Sequence, residues 1–528
     1  MPIYNVAPSF TAPNGTVSRP LQDRFADRLN VKDFGATGNG TSDDRVALQA
    51  AIVKGQATGL PVWLPAGTYM ISDQLGGAMT GHLDLVLDKR ATIKAAVGFP
   101  AASKKLLFLT NTTLGAGLQV SIAGGCFDSR NQPNSDTGQA NDTVYIAGKG
   151  IDEVIISGTR FYSGDDFATA GSDSLLFCSE MSNLTIEKCR FIGAKDVAIY
   201  ISGDSTETYG SDAIIEKCRF DNCSSAIISK RSFKRYIASQ NVIRNCQFGI
   251  LQGVADTTKK PGKDNIITHN HIIGAQRAIE AAISDTTIIT NNRIESIGYG
   301  NAPTDGTGIQ LSGSSYCMVM GNIITGINPT ATISGNFRAI YVITRDVDGV
   351  TYNSQRNAIS NNVIVGVGET YRESGSTCDY NSVKLEQAVN CQSWEPKLSG
   401  NHSFYNFFGP TGEGIDNLEG TYRKGTTMRW VRRVNGNSGF GTTNPQAPLH
   451  LQNGSVSATG PTGTQLLVES STDAVAALAA GATGKCRLTF GGAGSTVAAE
   501  LVYNAALGQV QVVVAGNVVA AWNSSGPV

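Results

Sequence analysis

LTIEKCRFIGAKDVAIYIS (184–202) is followed almost at once by AIIEKCRFDNCSSAIIS (213–229), the same phrase in a second wording. A Cys or Asn, one variable residue and then Phe or Ile close its first half. That half ends at Phe161, Phe191, Phe220, Ile243, Ile272, Ile294, Ile324 and Ile364, by subtraction 30, 29, 23, 29, 22, 30 and 40 residues apart. A small residue and an apolar one follow, at Ala198-Ile199, Ala226-Ile227, Gly249-Ile250, Ala278-Ile279, Gly308-Ile309 and Ala339-Ile340. Repeats of this length in a Gly-rich, strand-rich chain mean a solenoid. Val, Ile, Thr and Phe dominate it and no 3.6-residue period runs through it, which argues against helical repeats. The expected fold is therefore all-β, a parallel β-helix. Its coils stack at ~4.8 Å, so residues about 30 apart in sequence become neighbours on one face. Asn241, Asn270, Asn292, Asn322 and Asn362 read as an inward amide ladder, continued in phase by Cys189 and Cys218.

The chain has 528 residues, 60 of them Gly, and only 16% are charged, which suits a large rigid protein. A net charge of −1 excludes no partner. The ten Cys show no CxxC pair and no zinc spacing, so they are expected as buried free thiols made in a reducing cytoplasm. Residues 1–30 carry Pro, Asn and charges without an apolar core, and no run of 18 apolar residues occurs. Neither a signal peptide nor a membrane span is expected. Gly35, Gly38 and Gly40 lack a following GK[ST] and read as turn glycines, not a phosphate loop. Asp43 and Asp44 precede a helix with apolar positions Val46, Leu48, Ala51 and Ile52, so capping is their expected use.

Gln22-Asp23-Arg24-Phe25, then LNVKDFGATGNGTSDD (29–44), the helix and LPVWLPAGTY (60–69) resemble the opening of the pectate-lyase-like β-helix of bacteriophage tailspikes and capsule depolymerases. The resemblance runs to about residue 410. It implies a right-handed β-helix in a homotrimer, carried on a phage tail and binding, usually cutting, a bacterial surface polysaccharide. It also implies a virion protein made in the host cytoplasm. Residues 1–28 would be a virion-attachment segment, with Pro20, Leu21 and Phe25 contacting a tail or baseplate protein. Residues 29–150 would hold the β-helix opening and capping helix, 151–366 the central β-helix, and 367–425 an aromatic cap or bridge. NGNSGFGTTNPQAPLHL (435–451) resembles phage tail-fibre tips. It opens a C-terminal β-domain, 426–528, for trimerisation or carbohydrate binding. Its apolar strands are too few for a core of their own, which suggests three copies wrapped together.

The chemistry has to come from carboxylates. Five His are present and no GxSxG elbow appears. Cutting a glycosidic bond by hydrolysis takes two Asp or Glu, one protonated and one ionised. Gly164-Asp165-Asp166 lies just after Phe161, and Asp196 follows Phe191 by five residues as Asp166 follows Phe161, so Asp166 and Asp196 are expected to stack. The GDD also resembles the paired-Asp motif of polygalacturonases, although the other elements of that motif are missing in register. The alternative is that these Asp accept turn amides. Tyr200, four residues beyond Asp196, is a candidate substrate contact.

A second candidate centre is Glu280, turned outward if Ile279 points in, with Leu251 below, Gln310 above and Arg277 close by. It can bind sugar, act as the acid, or simply be paired with Arg277. Asp305, in a long insertion, could supply the second acid. Lys230 and Arg231, with Lys259, Lys260 and Lys263, form a basic strip. Contact with acidic groups of a polysaccharide suits it better than nucleic acid. Hydrolysis leads over a lyase because no calcium cage is evident, and neither metal nor cofactor is expected. A lyase and a receptor-binding spike without catalysis remain the alternatives.

Overall fold

A computed structural model describes residues 27–100, 105–133, 142–383 and 499–527, except 166, 168–172, 204–209, 231–232, 255–261, 298–305, 327–336, 348, 375–377, 379–380, 505 and 516; elsewhere it describes only strand backbones. Each coil is written by alternation. In Ser182–Glu187, Leu184 and Ile186 turn inward while Asn183 and Thr185 turn out. Lys188 follows in the left-handed region, φ 54°, and bends the chain into Arg190–Ile192. A second bend leads to Val197–Ser202, and the chain then climbs one step.

Three parallel sheets result. The first has eleven strands, from Leu75–Ala78 to Glu369–Ser374. The second runs through Leu118–Ala123, Ile151–Ser157, Ser182–Glu187, Ser211–Glu216, Lys234–Ser239 and Ile266–Thr268 to Ala358–Ser360. The third has thirteen strands, from Asn39–Asp43 to Gln387–Val389. Pairing does not stop at residue 366. Glu369–Ser374, Ser382–Leu385 and Gln387–Val389 add a further coil in register, and Ser403–Phe407 still pairs in parallel.

The interior is built from identical positions stacked on one another. Phe127, Phe161, Phe191 and Phe220 lie face to face, with ring centroids 5.6, 4.8 and 5.1 Å apart. Each such ring taken from water is worth about 1.5–3 kcal/mol. The Asn ladder is present. Asn241 donates its main-chain N (3.1 Å) and Nδ2 (3.0 Å) to Asn270 Oδ1, and the pattern repeats at Asn270–Asn292, Asn292–Asn322 and Asn322–Asn362. Nδ2 also reaches a main-chain carbonyl, so the buried amide is satisfied. Cys218 N donates to Asn241 Oδ1 in the same phase. The eight described Cys are free and buried.

The helix Arg45–Thr58 buries Ala47, Leu48, Ala51, Ile52 and Gly55. Val46, expected on that face, is 72% exposed, because at 100° per residue it lies well away from Leu48 and Ile52. Asp44 stands at the N-cap position, as expected, but its side chain does not cap. Its carboxylate accepts Thr37 N (2.6 Å), Thr37 Oγ1 (3.0 Å) and Gly38 N (3.0 Å), and no side-chain cap bond is made to the helix. Asp43 accepts Arg45 N and Ser72 Oγ. Asp43 thus takes the first N–H of the helix, while Asp44 ties in the preceding loop. Gly38 has φ 64°, and a Cβ there would lie 2.9 Å from the Tyr69 ring, so this turn requires glycine.

The chain divides into two compact units, 1–436 and 437–528. The second ends in an antiparallel meander of Lys485–Phe490, Ala499–Asn504, Gln509–Val514, Asn517–Asn523 and Gly526–Pro527.

Candidate functional site

The outer face of the first sheet carries one continuous row. In register it reads Phe108, Tyr145, Phe177, Tyr200, Ile228, Leu251, Glu280, Gln310, Tyr341 and Arg372. Parallel in-register coils make neighbours of these residues although 264 positions separate the first from the last. The row changes chemistry along its length.

At its lower end Phe108, Tyr145, Phe177 and Tyr200 stack at 5.2, 4.6 and 4.8 Å. The ring faces cover one another, so this strip offers a ligand its edges. Lys105 Nζ sits 5.5 Å from the Tyr145 ring and Lys230 Nζ 5.1 Å from the Tyr200 ring. Beside the strip lie three carboxylates, Asp142, Asp173 and Asp196. Asp173 immediately precedes the strand Ser174–Ser179, Asp196 immediately precedes Val197–Ser202, and Asp196 N donates to Asp173 O at 2.9 Å. They occupy the same corner of adjacent coils.

Burial raises the Asp196 carboxyl above the ordinary range; Lys230 opposes this and the negative charge of Asp173 adds to it. Asp196 is nonetheless open to solvent at its surface, which moderates the effect. Burial pushes Asp142 from 3.8 up to about 6, against the pull of Lys105, 3.9 Å away, and of Ser174, and with the push of Asp173 and Asp196. A carboxyl of raised pKa beside a second carboxylate is what a general acid and its partner require.

The sequence placed Asp166 on Asp196 by counting forward from Phe161 and Phe191. The register pairs Phe161 with Phe191, but residues inserted between Phe161 and the next strand displace the count, and Asp173 is the neighbour of Asp196. Counting backward from the strand finds it. The small-apolar beat that marks the other coils is Leu175-Leu176 here, which hid the strand start. Asp166, Asp305 and Arg231 lie outside the described residues. Asp165 is not among the charges acting on Asp196. It accepts Tyr162 Oη at 2.6 Å, and its carbonyl accepts Asn222 Nδ2.

At the upper end Glu280 has the neighbours expected, Leu251 and Gln310. It is 2% exposed, however, and both oxygens are engaged. Arg277 Nη1 donates to Oε2 at 2.6 Å, while Arg345 Nη1 (3.1 Å) and Gln310 Nε2 (3.3 Å) donate to Oε1. Arg345 opens a hairpin, Arg345–Val347 with Val350–Tyr352, that folds back two coils. The sequence held one signal for it, the 40-residue interval between Ile324 and Ile364. Arg338 and Arg372 pair with buried Glu369 on the same face. Among the described residues no three His, Cys, Asp or Glu could hold a metal ion, and no helix is long and apolar enough to cross a membrane.

Comparison with known proteins fits this geometry. Residues 28–251 match the family described as Rhamnogalacturonase A/epimerase, pectate lyase-like. Plasmin and fibronectin-binding protein A of Streptococcus pneumoniae is 29% identical over 196 residues, 33% of this chain and 26% of that protein. Mannuronan C5-epimerase AlgE6 of Azotobacter vinelandii is 61% identical over 44 residues, 8% of this chain and 5% of that one. The chain thus spans about a quarter or less of these relatives. The family 28 exopolygalacturonase of Yersinia enterocolitica superposes with TM-score 0.52 at 13% identity, over 72% of this chain and 78% of that one. The Dettilon tailspike protein superposes with TM-score 0.50 at 17% identity, over 78% and 80%. The chain has the pectate-lyase-like β-helix fold, and over residues 28–251 it carries the sequence pattern of that family.

Proposed function

We propose that this protein binds a bacterial surface polysaccharide along the outer face of the first sheet and cuts it by glycosidic hydrolysis, as a homotrimeric tailspike depolymerase of a phage virion held to the tail through residues 1–28. The observation that carries the reading is the pair Asp173 and Asp196, on adjacent coils beside the aromatic strip. Asp196, with its raised pKa and open surface, donates the proton to the leaving oxygen. Asp173, whose negative charge helps to keep that proton on Asp196, serves as base or nucleophile. Tyr200 and Lys230 line the approach. Arg277 and Gln310 hold the far end of the bound chain, and Glu280, buried between them, positions both.

The relatives support action on polysaccharide: one is named as a mannuronan epimerase, and a protein of the same fold as an exopolygalacturonase. One observation favours recognition without cleavage, since a relative is named for binding plasmin and fibronectin. The test is to incubate the protein with a panel of purified capsular, exopolysaccharide and O-antigen polymers. Shortened chains with new reducing ends and no absorbance near ~235 nm, lost in Asp196→Asn and Asp173→Asn, are expected of this chemistry. Shortening with that absorbance means a lyase, and binding without shortening means a recognition spike.

A further inference from the structure

The three outer faces of the β-helix differ in kind, and the second sheet's face is the apolar one. In register it shows Ser121, Ile155, Thr185, Ile214, Ile237, Ile266, Ile288, Met318, Ala358 and Ser382. Ile155 is 37%, Ile214 41% and Met318 36% exposed. The next outward row is uncharged from Ser239 through Thr268, Thr290 and Met320 to Ser360. Charges gather toward the lower end, as the pairs Glu187–Lys188, Glu216–Lys217 and Asp212–Arg235. The third sheet instead shows Arg160, Arg190 and Arg219 in line, and the first shows the aromatic strip and the arginines.

A monomer in water does not ordinarily leave so long an apolar row uncovered. We propose that this face is where copies of the chain lie side by side, parallel and in register. The inference rests on the homotrimer in the function proposed above and names the surface that makes it. Nine coil steps of ~4.8 Å give a straight row about 43 Å long, and about five residues of strand give it a width of about 16 Å. That is roughly 700 Å², close to the ~800 Å² per partner of a standard stable interface. A straight row with the period of one coil is covered along its whole length by an object of the same shape and period, which is a second β-helix. The other compact unit, taken by itself, supplies a separate observation. Its meander exposes Leu501 (43%), Tyr503 (48%), Val510 (40%), Val514 (42%) and Trp522 (43%), an apolar sheet side with the same need of cover.

The experiment uses the full-length protein in light scattering coupled to size exclusion. The wild type is expected at a multiple of the 55.5 kDa chain, and the double variant Ile266→Lys/Met318→Lys at one chain mass with unchanged far-ultraviolet circular dichroism. Val46→Lys, on the exposed side of the helix, is expected to leave the assembly whole. If the Lys variant fails to fold, Ile266→Cys treated with a short bis-maleimide replaces it: inter-chain cross-links absent from the wild type support the face, and their absence in an assembled protein overturns it. A monomeric wild type sinks both the trimer and this surface. An assembled wild type whose Lys variant stays assembled sinks the surface alone and leaves the trimer standing.

Discussion

Asp196 and Glu280 lie on the same sheet, three coils or about 14 Å apart along the solenoid axis, and their environments are opposite. Glu280 is buried under two guanidiniums and an amide that engage both its oxygens, so it holds a hairpin to the sheet and is shielded from solvent. Asp196 meets another carboxylate and a distant ammonium, and burial raises its carboxyl above the ordinary range. An outward carboxylate on a β-helix becomes reactive or structural according to what the adjacent coils place next to it. Sequence position alone does not distinguish the two.

The largest effect that could break this contrast is on rate. Asp196→Asn or Asp173→Asn is expected to slow cleavage by about 10²- to 10⁴-fold with polysaccharide binding retained, read by reducing-end assay and by gel shift. An Asp196→Asn enzyme that keeps full activity would move the chemistry elsewhere on the chain.

Next is the pH dependence of stability. Asp142 holds its proton in the folded protein up to about 6, against 3.8 ordinarily. A raised acid stabilises the fold while it stays protonated, and that contribution is lost as pH rises from about 4 to about 6, on the order of 3 kcal/mol in all. Melting temperature should therefore fall over that window relative to Asp142→Asn, in which the slope disappears. Parallel curves for the two proteins would contradict the assignment.

Glu280→Gln tests the structural end. Arg277 and Arg345 lose their counter-ion, and because both are partly exposed the cost is about 2 kcal/mol, below that of a fully buried pair. Hydrogen exchange at 345–352 should quicken while cleavage per folded molecule stays within about threefold. A collapse of activity comparable with that of Asp196→Asn would make Glu280 the acid. The smallest effect expected is at the strip: Tyr200→Ala should weaken polysaccharide binding by about 1 kcal/mol, roughly fivefold in Kd by titration, with little change in bond-breaking rate.

Much of the fold was legible because a solenoid repeats locally. Phe161, Phe191 and Phe220 in one phase, and the Asn run from 241 to 362, announce stacked coils, since only in-register stacking makes such ladders self-satisfying. The neighbours of Glu280 followed from the same counting. Insertions are where counting fails. The residues between Phe161 and Ser174 shifted the partner of Asp196 from Asp166 to Asp173, and the hairpin at Arg345 brought a guanidinium from 65 residues away onto Glu280. Asp44 gave a local signal for capping, and a loop seven residues earlier in the chain took its carboxylate instead.

By itself, then, the sequence determined the β-helix, its phase, its inward ladders and the β-rich opening of the family pattern, because these depend on contacts between residues at equal steps along the chain. Tertiary structure alone decided which carboxylates meet, which are neutralised by arginine, and which face stays apolar. Those outcomes depend on burial and on charges that loops of unequal length carry across coils, and no period in the sequence encodes the length of a loop's reach.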